Sequence, residues 1–245
     1  MKTKGKILII LFVICVIYVV LMLVLNGKNI KQVVMPTYLV VSDKFVWQKE
    51  NNKWVDSNFN DIKNVKFTID NKYKGYIDLN MGNMYVKQNN KYKQKNIRAA
   101  ISNGKIELAD YTTSKVTVSS DYYISLVLNN IDKTSLDAFD AIMVNMDFDN
   151  NNSNEILYIV SDVTKDNTSC IGTKIFIVKN NEIQMIVDSG IYRYNLVDIM
   201  DLNEDGKYEI VLEKNEELEE NSSSCFELYE LKNGKYKNVK KCELN

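Results

Sequence analysis

The sequence predicts an all-β protein of mainly antiparallel hairpins, propeller-like or an incomplete propeller, behind one N-terminal transmembrane helix; a β-sandwich is the alternative. Three observations predict it. An uncharged apolar run lies near the N-terminus, five Asn-Asn or Asn-Gly pairs separate strand-like residues, and two acidic segments align without a gap.

The run Ile7–Leu25 has no charged residue, no Gly and no Pro. As a helix its 19 residues extend about 28 Å, close to the roughly 30 Å hydrocarbon core. A buried helix of a soluble protein would carry a polar stripe, and this one has none. A cleaved leader would have a shorter apolar region and small residues at the cut, which Val24-Leu25-Asn26-Gly27 does not supply. A lipid-modified Cys15 is disfavoured by Ile14 before it. Lys2, Lys4 and Lys6 flank one side and Lys28 and Lys31 the other, so the positive-inside rule keeps the N-terminus in the cytoplasm. The expected organisation is a cytoplasmic tail (1–6), an anchor (7–26), a juxtamembrane linker (27–36) and an extracytoplasmic β domain (37–245) in the cell membrane.

Beyond Pro36, Asn-Asn or Asn-Gly pairs recur at Asn51-Asn52, Asn89-Asn90, Asn103-Gly104, Asn180-Asn181 and Asn233-Gly234. Asn and Gly tolerate the positive φ that two-residue hairpin turns require, so each pair is expected to close a hairpin. Counting outward from Asn233-Gly234 places Glu230 opposite Lys237, Leu228 opposite Val239, Glu227 opposite Lys240 and Cys225 opposite Cys242. Such a cysteine pair is close enough for a disulfide in an oxidising compartment; two free thiols on a frayed hairpin are the alternative. Cys15 lies in the expected anchor, and Cys170 has no evident partner.

The two acidic segments run from Met146 and from Met200, 54 positions apart. They lie in repeats of about 138–190 and 192–245, and units of this size with several strands suggest propeller blades or a related stack. The shared pattern is D-x-[DN]-x-[DN]-[GN]-x-x-E. Calcium takes six to eight oxygens, and a tight loop can supply side chains at positions 1, 3 and 5, a carbonyl at 7 and a closing carboxylate. The expected ligands are Asp201, Asn203, Asp205, the Lys207 carbonyl and Glu209 in the second loop. In the first they are Asp147, Asp149, Asn151, the Ser153 carbonyl and Glu155. The alternative is a pair of solvated turns in which the acidic groups cap the backbone and bind no metal.

At these residues the sequence resembles the calcium loops of the FG-GAP and VCBS repeat families, found in integrin-like β-propellers and bacterial surface proteins. The resemblance covers about 100 residues, from Ala138 to the C-terminus. The first loop departs from it, with Asn152 in place of Gly and Asn151 in place of Asp. The resemblance implies structural calcium (Ca2+) and a role at the cell surface.

Composition narrows function by exclusion. With no His, catalysis by Ser-His-Asp or Cys-His is impossible, and so are zinc sites that use imidazole. A net charge of −1 gives no sign of a nucleic-acid partner. The run Glu213–Glu220 reads as an exposed loop, or a partner-binding acidic patch; Lys91, Lys93, Lys95 and Arg98 around Tyr92 read as a lysine-protected hairpin edge. Trp47, Trp54 and Tyr85 are expected in the core, with carbohydrate stacking as the alternative. The resulting expectation is a non-enzymatic binding or interaction module for a protein or carbohydrate ligand at the cell surface. An envelope hydrolase using acidic residues and an accessory subunit of a membrane complex are the alternatives.

Overall fold

The computed structural model describes residues 36–244, apart from 42–43, 64, 70–72, 81–82, 89–90, 95–96, 130–135, 137–138, 163–171 and 217–222. It does not describe the side chains of 73–76, 78–80, 83–88, 91–94, 162 and 216. The expected anchor, Cys15 and Cys170 lie outside the described residues, among which no helix is long and apolar enough to cross a membrane.

Pro36–Asn245 forms one compact unit of three antiparallel sheets. The first sheet holds β1 (Thr37–Val41), β2 (Phe45–Glu50), β3 (Lys53–Ser57), β4 (Lys66–Ile69), β5 (Tyr73–Asn80), β6 (Asn83–Gln88), β7 (Lys91–Gln94) and β8 (Ala99–Ile101). Their spatial order is β3-β2-β1-β8-β4-β5-β6-β7. After β9 (Glu107–Leu108), the second sheet runs β10 (Thr113–Val116), β11 (Phe139–Met146), β12 (Glu155–Asp162), β13 (Thr173–Lys179) and β14 (Glu182–Ser189). The third is a meander of β15 (Tyr192–Asp201), β16 (Glu209–Glu216), β17 (Ser224–Lys232) and β18 (Lys235–Lys240), with β9 added beside β15. A short α-helix among the described residues, α1 (Tyr122–Val127), was not foreseen. Asp121 caps it by accepting from the amides of Tyr123 and Ile124 at 2.9 and 3.0 Å.

The third sheet is the middle layer. Its Ile210, Leu212 and Tyr229 face Leu157, Ile175 and Ile177 of the second sheet, while Val211 and Leu228 face Leu39, Trp47 and Trp54 of the first. Alternation along a strand puts successive side chains on opposite faces, and β16 serves both cores in this way. Trp47 and Trp54 are core residues as expected, at 0% and 7% exposure. Burying side chains of this size contributes about 2–3 kcal/mol each.

Three of the expected hairpins close on positive φ at both turn residues: Asn51 and Asn52 (47° and 63°), Asn180 and Asn181 (50° and 64°), Asn233 and Gly234 (55° and 75°). The strands flanking Asn89-Asn90 pair Gln88 with Lys91. Asn103-Gly104 is a correction. It leads from β8 to β9, which lie in different sheets, because β8 already has β1 and β4 on its two sides and no room for a third neighbour.

The last hairpin keeps Glu230 opposite Lys237 but slips at a bulge, so Leu228 faces Lys240 and not Val239. The slip turns Lys240 onto the face of Leu228, toward the first sheet. There its ammonium meets Asp56 at 2.8 Å and lies 5.5 Å from the centre of the Trp47 ring. The expected Glu227–Lys240 pair therefore does not form. Glu227 instead accepts from the hydroxyl of Tyr229 and the side-chain amide of Asn238, each at 2.7 Å. Cys225 and Cys242 are nevertheless joined in a disulfide, with Cα atoms 5.9 Å apart. Glu213–Glu216, expected in a loop, ends β16, and Glu213 pairs with Lys44 at 2.8 Å. Arg98 lies off the lysine-bearing edge and grips Asp198 of β15 with two guanidinium nitrogens.

Candidate cation site

Each acidic loop joins the first to the second strand of a four-strand meander: 147–154 between β11 and β12, 202–208 between β15 and β16. Its leading aspartate folds the backbone around itself. Asp147 accepts from the amides of Asn151 (3.0 Å) and Asn152 (2.7 Å). Asp201 accepts from those of Asn203 (3.1 Å), Glu204 (2.7 Å) and Gly206 (2.9 Å). The fourth and sixth positions are left-handed in both, at Asn150 and Asn152 (57° and 66°) and at Glu204 and Gly206 (60° and 77°). Asn152 thus adopts the conformation that glycine supplies in the second loop, as asparagine can through its short polar side chain.

The closing glutamates are also equivalent. Glu155 accepts the amide of Phe148 at 2.9 Å and Glu209 that of Leu202 at 2.7 Å. Both are almost fully buried, at 2% and 3% exposure, and Asp201 is as well. At position 5 Asn151 and Asp205 accept from the amides of Ser153 (2.8 Å) and Lys207 (2.9 Å). The loops touch: the amide of Tyr208 donates to the carbonyl of Phe148 at 3.0 Å.

The loops differ in how their carboxylates are neutralised. In the first, Asp147, Asp149 and Glu155 bring one oxygen each within 4.8 Å of one another. The ammonium of Lys179, from the end of β13, is hydrogen-bonded to Asp149 and lies 3.3 Å from Glu155 Oε1. Burial pulls the Lys179 pKa down, but bonding to Asp149 and Glu155 outweighs it and the net shift is upward. Asp149 Oδ1 is buried and accepts no hydrogen bond, and the buried Glu155 Oε1 has only its ion pair with Lys179.

In the second loop Asp205 and Asn203 are exposed, and Asn203 Nδ2 donates to Glu209 Oε1 at 3.3 Å. Among the described residues no cation lies within ion-pair distance of Asp201 or Glu209; Lys207 reaches only Asp205, at 3.8 Å. Burial pushes the Glu209 carboxyl up to about 8; the Leu202 amide opposes this, and the charges of Asp201, Glu230 and Asp205 add to it. An all-oxygen donor set with a buried carboxylate that lacks a counter-charge suits a hard cation such as calcium.

Sequence reasoning named the loop residues but missed Lys179 and Glu230. The signal was present: in an antiparallel meander the first and third connections lie at the same end, so the residue before Asn180-Asn181 must lie beside the first loop. Alongside the loops a cleft of about 610 Å³ opens between β14 and β18, lined by Glu182, Met185, Lys235, Tyr236 and Lys237 among others. No family model matches the chain, and no curated protein or solved structure is significantly similar to it.

Proposed function

We propose that this chain is a membrane-anchored, extracytoplasmic β-repeat protein: a non-enzymatic binding module for a protein or carbohydrate ligand at the cell surface, with structural calcium in its second acidic loop. On this reading 139–189 and 192–240 are two copies of one propeller-like unit of the FG-GAP or VCBS kind. The matching strand order and the matching hydrogen bonds of the two loops support it. The apolar run Ile7–Leu25 supports the anchor.

One observation carries the calcium reading: Asp201 and Glu209 are buried side by side in the second loop, and among the described residues no cation pairs with either. A divalent ion would supply the missing charge and tighten the loop without performing chemistry. The test is thermal unfolding of the full chain in calcium and in excess chelator. At ten times Kd one bound ion adds about 1.4 kcal/mol, or roughly 3–5 °C for a domain of this size. The shift is expected to vanish in Asp201→Ala with Asp205→Ala. No shift at several millimolar calcium would overturn the reading.

A further inference from the structure

The two units carry a lysine at the same place, the residue before the last turn: Lys179 on β13 and Lys232 on β17. Two positions earlier, on the same face of each strand, stand Ile177 and Glu230. Lys232 turns onto Glu230 at 2.7 Å and stays out of the second loop. Ile177 is packed in the core and offers no charge, so Lys179 extends to Asp149 and Glu155 of the first loop.

We propose that Lys179 is the built-in cation of the first loop and keeps calcium out of it, leaving the second loop as the metal site. The inference rests on the calcium reading of the second loop. Calcium bridging Asp149 and Glu155 needs oxygens at about 2.3–2.6 Å, and the ammonium already occupies the space between those two side chains. The ammonium also accounts for the gathered carboxylates. Asp149 and Glu155 contact it and lie with Asp147 within 4.8 Å of one another, whereas Asp201, Asp205 and Glu209 are not drawn to that distance. Removing the lysine frees Asp149 Oδ2 and the almost fully buried Glu155 Oε1 to bind a metal, with Asp149 Oδ1 already without a hydrogen bond beside them. In the second loop Glu230 has the converse part: by holding Lys232 it keeps that ammonium away from Glu209.

The experiment is calcium titration calorimetry on the full chain and on Lys179→Met, Lys179→Arg and Glu230→Ile. The expected stoichiometry is one for the parent and for Lys179→Arg, and two for Lys179→Met, the added site being lost with Asp147→Ala. Lys179→Gln is expected to bind two as well and serves if the Met variant does not fold. Glu230→Ile releases Lys232 and is expected to weaken binding at the second loop at least tenfold. Two ions in the parent chain, or no gain in either neutral variant, overturn the proposal. No ion in the parent but one in Lys179→Met upholds the lysine's role and refutes the calcium reading of the second loop.

Discussion

Tyr208 in the second acidic loop donates its backbone amide to the carbonyl of Phe148 in the first, at 3.0 Å, so the two loops are joined by a main-chain hydrogen bond. Tyr236 reinforces the junction by donating its hydroxyl to the carbonyl of Tyr208 at 2.9 Å.

Gly206 of the second loop lies against Asn150 of the first. Its φ is 77°, and a Cβ there would stand 2.7 Å from the side-chain nitrogen of Asn150. Gly206→Ala is expected to cost about 1–2 kcal/mol, from left-handed strain and from displacing Asn150. Urea unfolding checks this. In an Asn150→Ala background the steric part should disappear and the conformational part remain, so an unchanged cost in that background would show that crowding contributes nothing.

The Lys240–Asp56 pair makes an asymmetric prediction. The lysine side chain is buried and the aspartate side chain is 77% exposed. Asp56→Asn leaves a charged ammonium buried without its counter-ion and is expected to cost about 1–3 kcal/mol. Lys240→Met removes the buried charge, keeps most of the packing against Trp47, and leaves Asp56 in water, at a cost of under about 1 kcal/mol. Equal losses in chemical denaturation would mean that the bulge placing Lys240 there depends on the charge itself.

Glu209 sets a pH dependence in chelator. Its folded pKa, about 8, lies above the ordinary 4.5, so the folded state binds the proton more tightly than the unfolded chain. The associated stability is complete below pH about 4.5 and is lost as pH rises through about 8, by an amount on the order of a few kcal/mol. Glu209→Gln should remove this part of the slope. Melting temperatures from pH 5 to 9, compared between the two chains, provide the check, and parallel curves would exclude Glu209 as the source.

Much of the fold was legible because its determinants are local. Asn-Asn and Asn-Gly pairs accept positive φ at adjacent residues, and the turns at 51–52, 180–181 and 233–234 follow from that preference alone. The loop pattern was legible for the same reason, since Asp147 and Asp201 organise amides only two to five residues away. The same local rule misread Asn103-Gly104, where sheet membership is decided by distant strands.

What the sequence by itself determined is therefore the antiparallel all-β class, three of its turns and the conformation of the two acidic loops. Tertiary structure decided which loop has a cation of its own. Lys179 and Lys232 hold the same place in the two units, but folding brings Lys179 against Asp149 and Glu155 of the first loop, whereas Lys232 settles on Glu230 of its own strand. It likewise decided the bulge at Leu228, where Lys240 gains Asp56 and Trp47 of a sheet formed far earlier in the chain. The physical reason is range: backbone φ is set by a residue and its immediate neighbours, whereas the partner of a buried charge is set by whatever the packed sheets bring within about 4 Å.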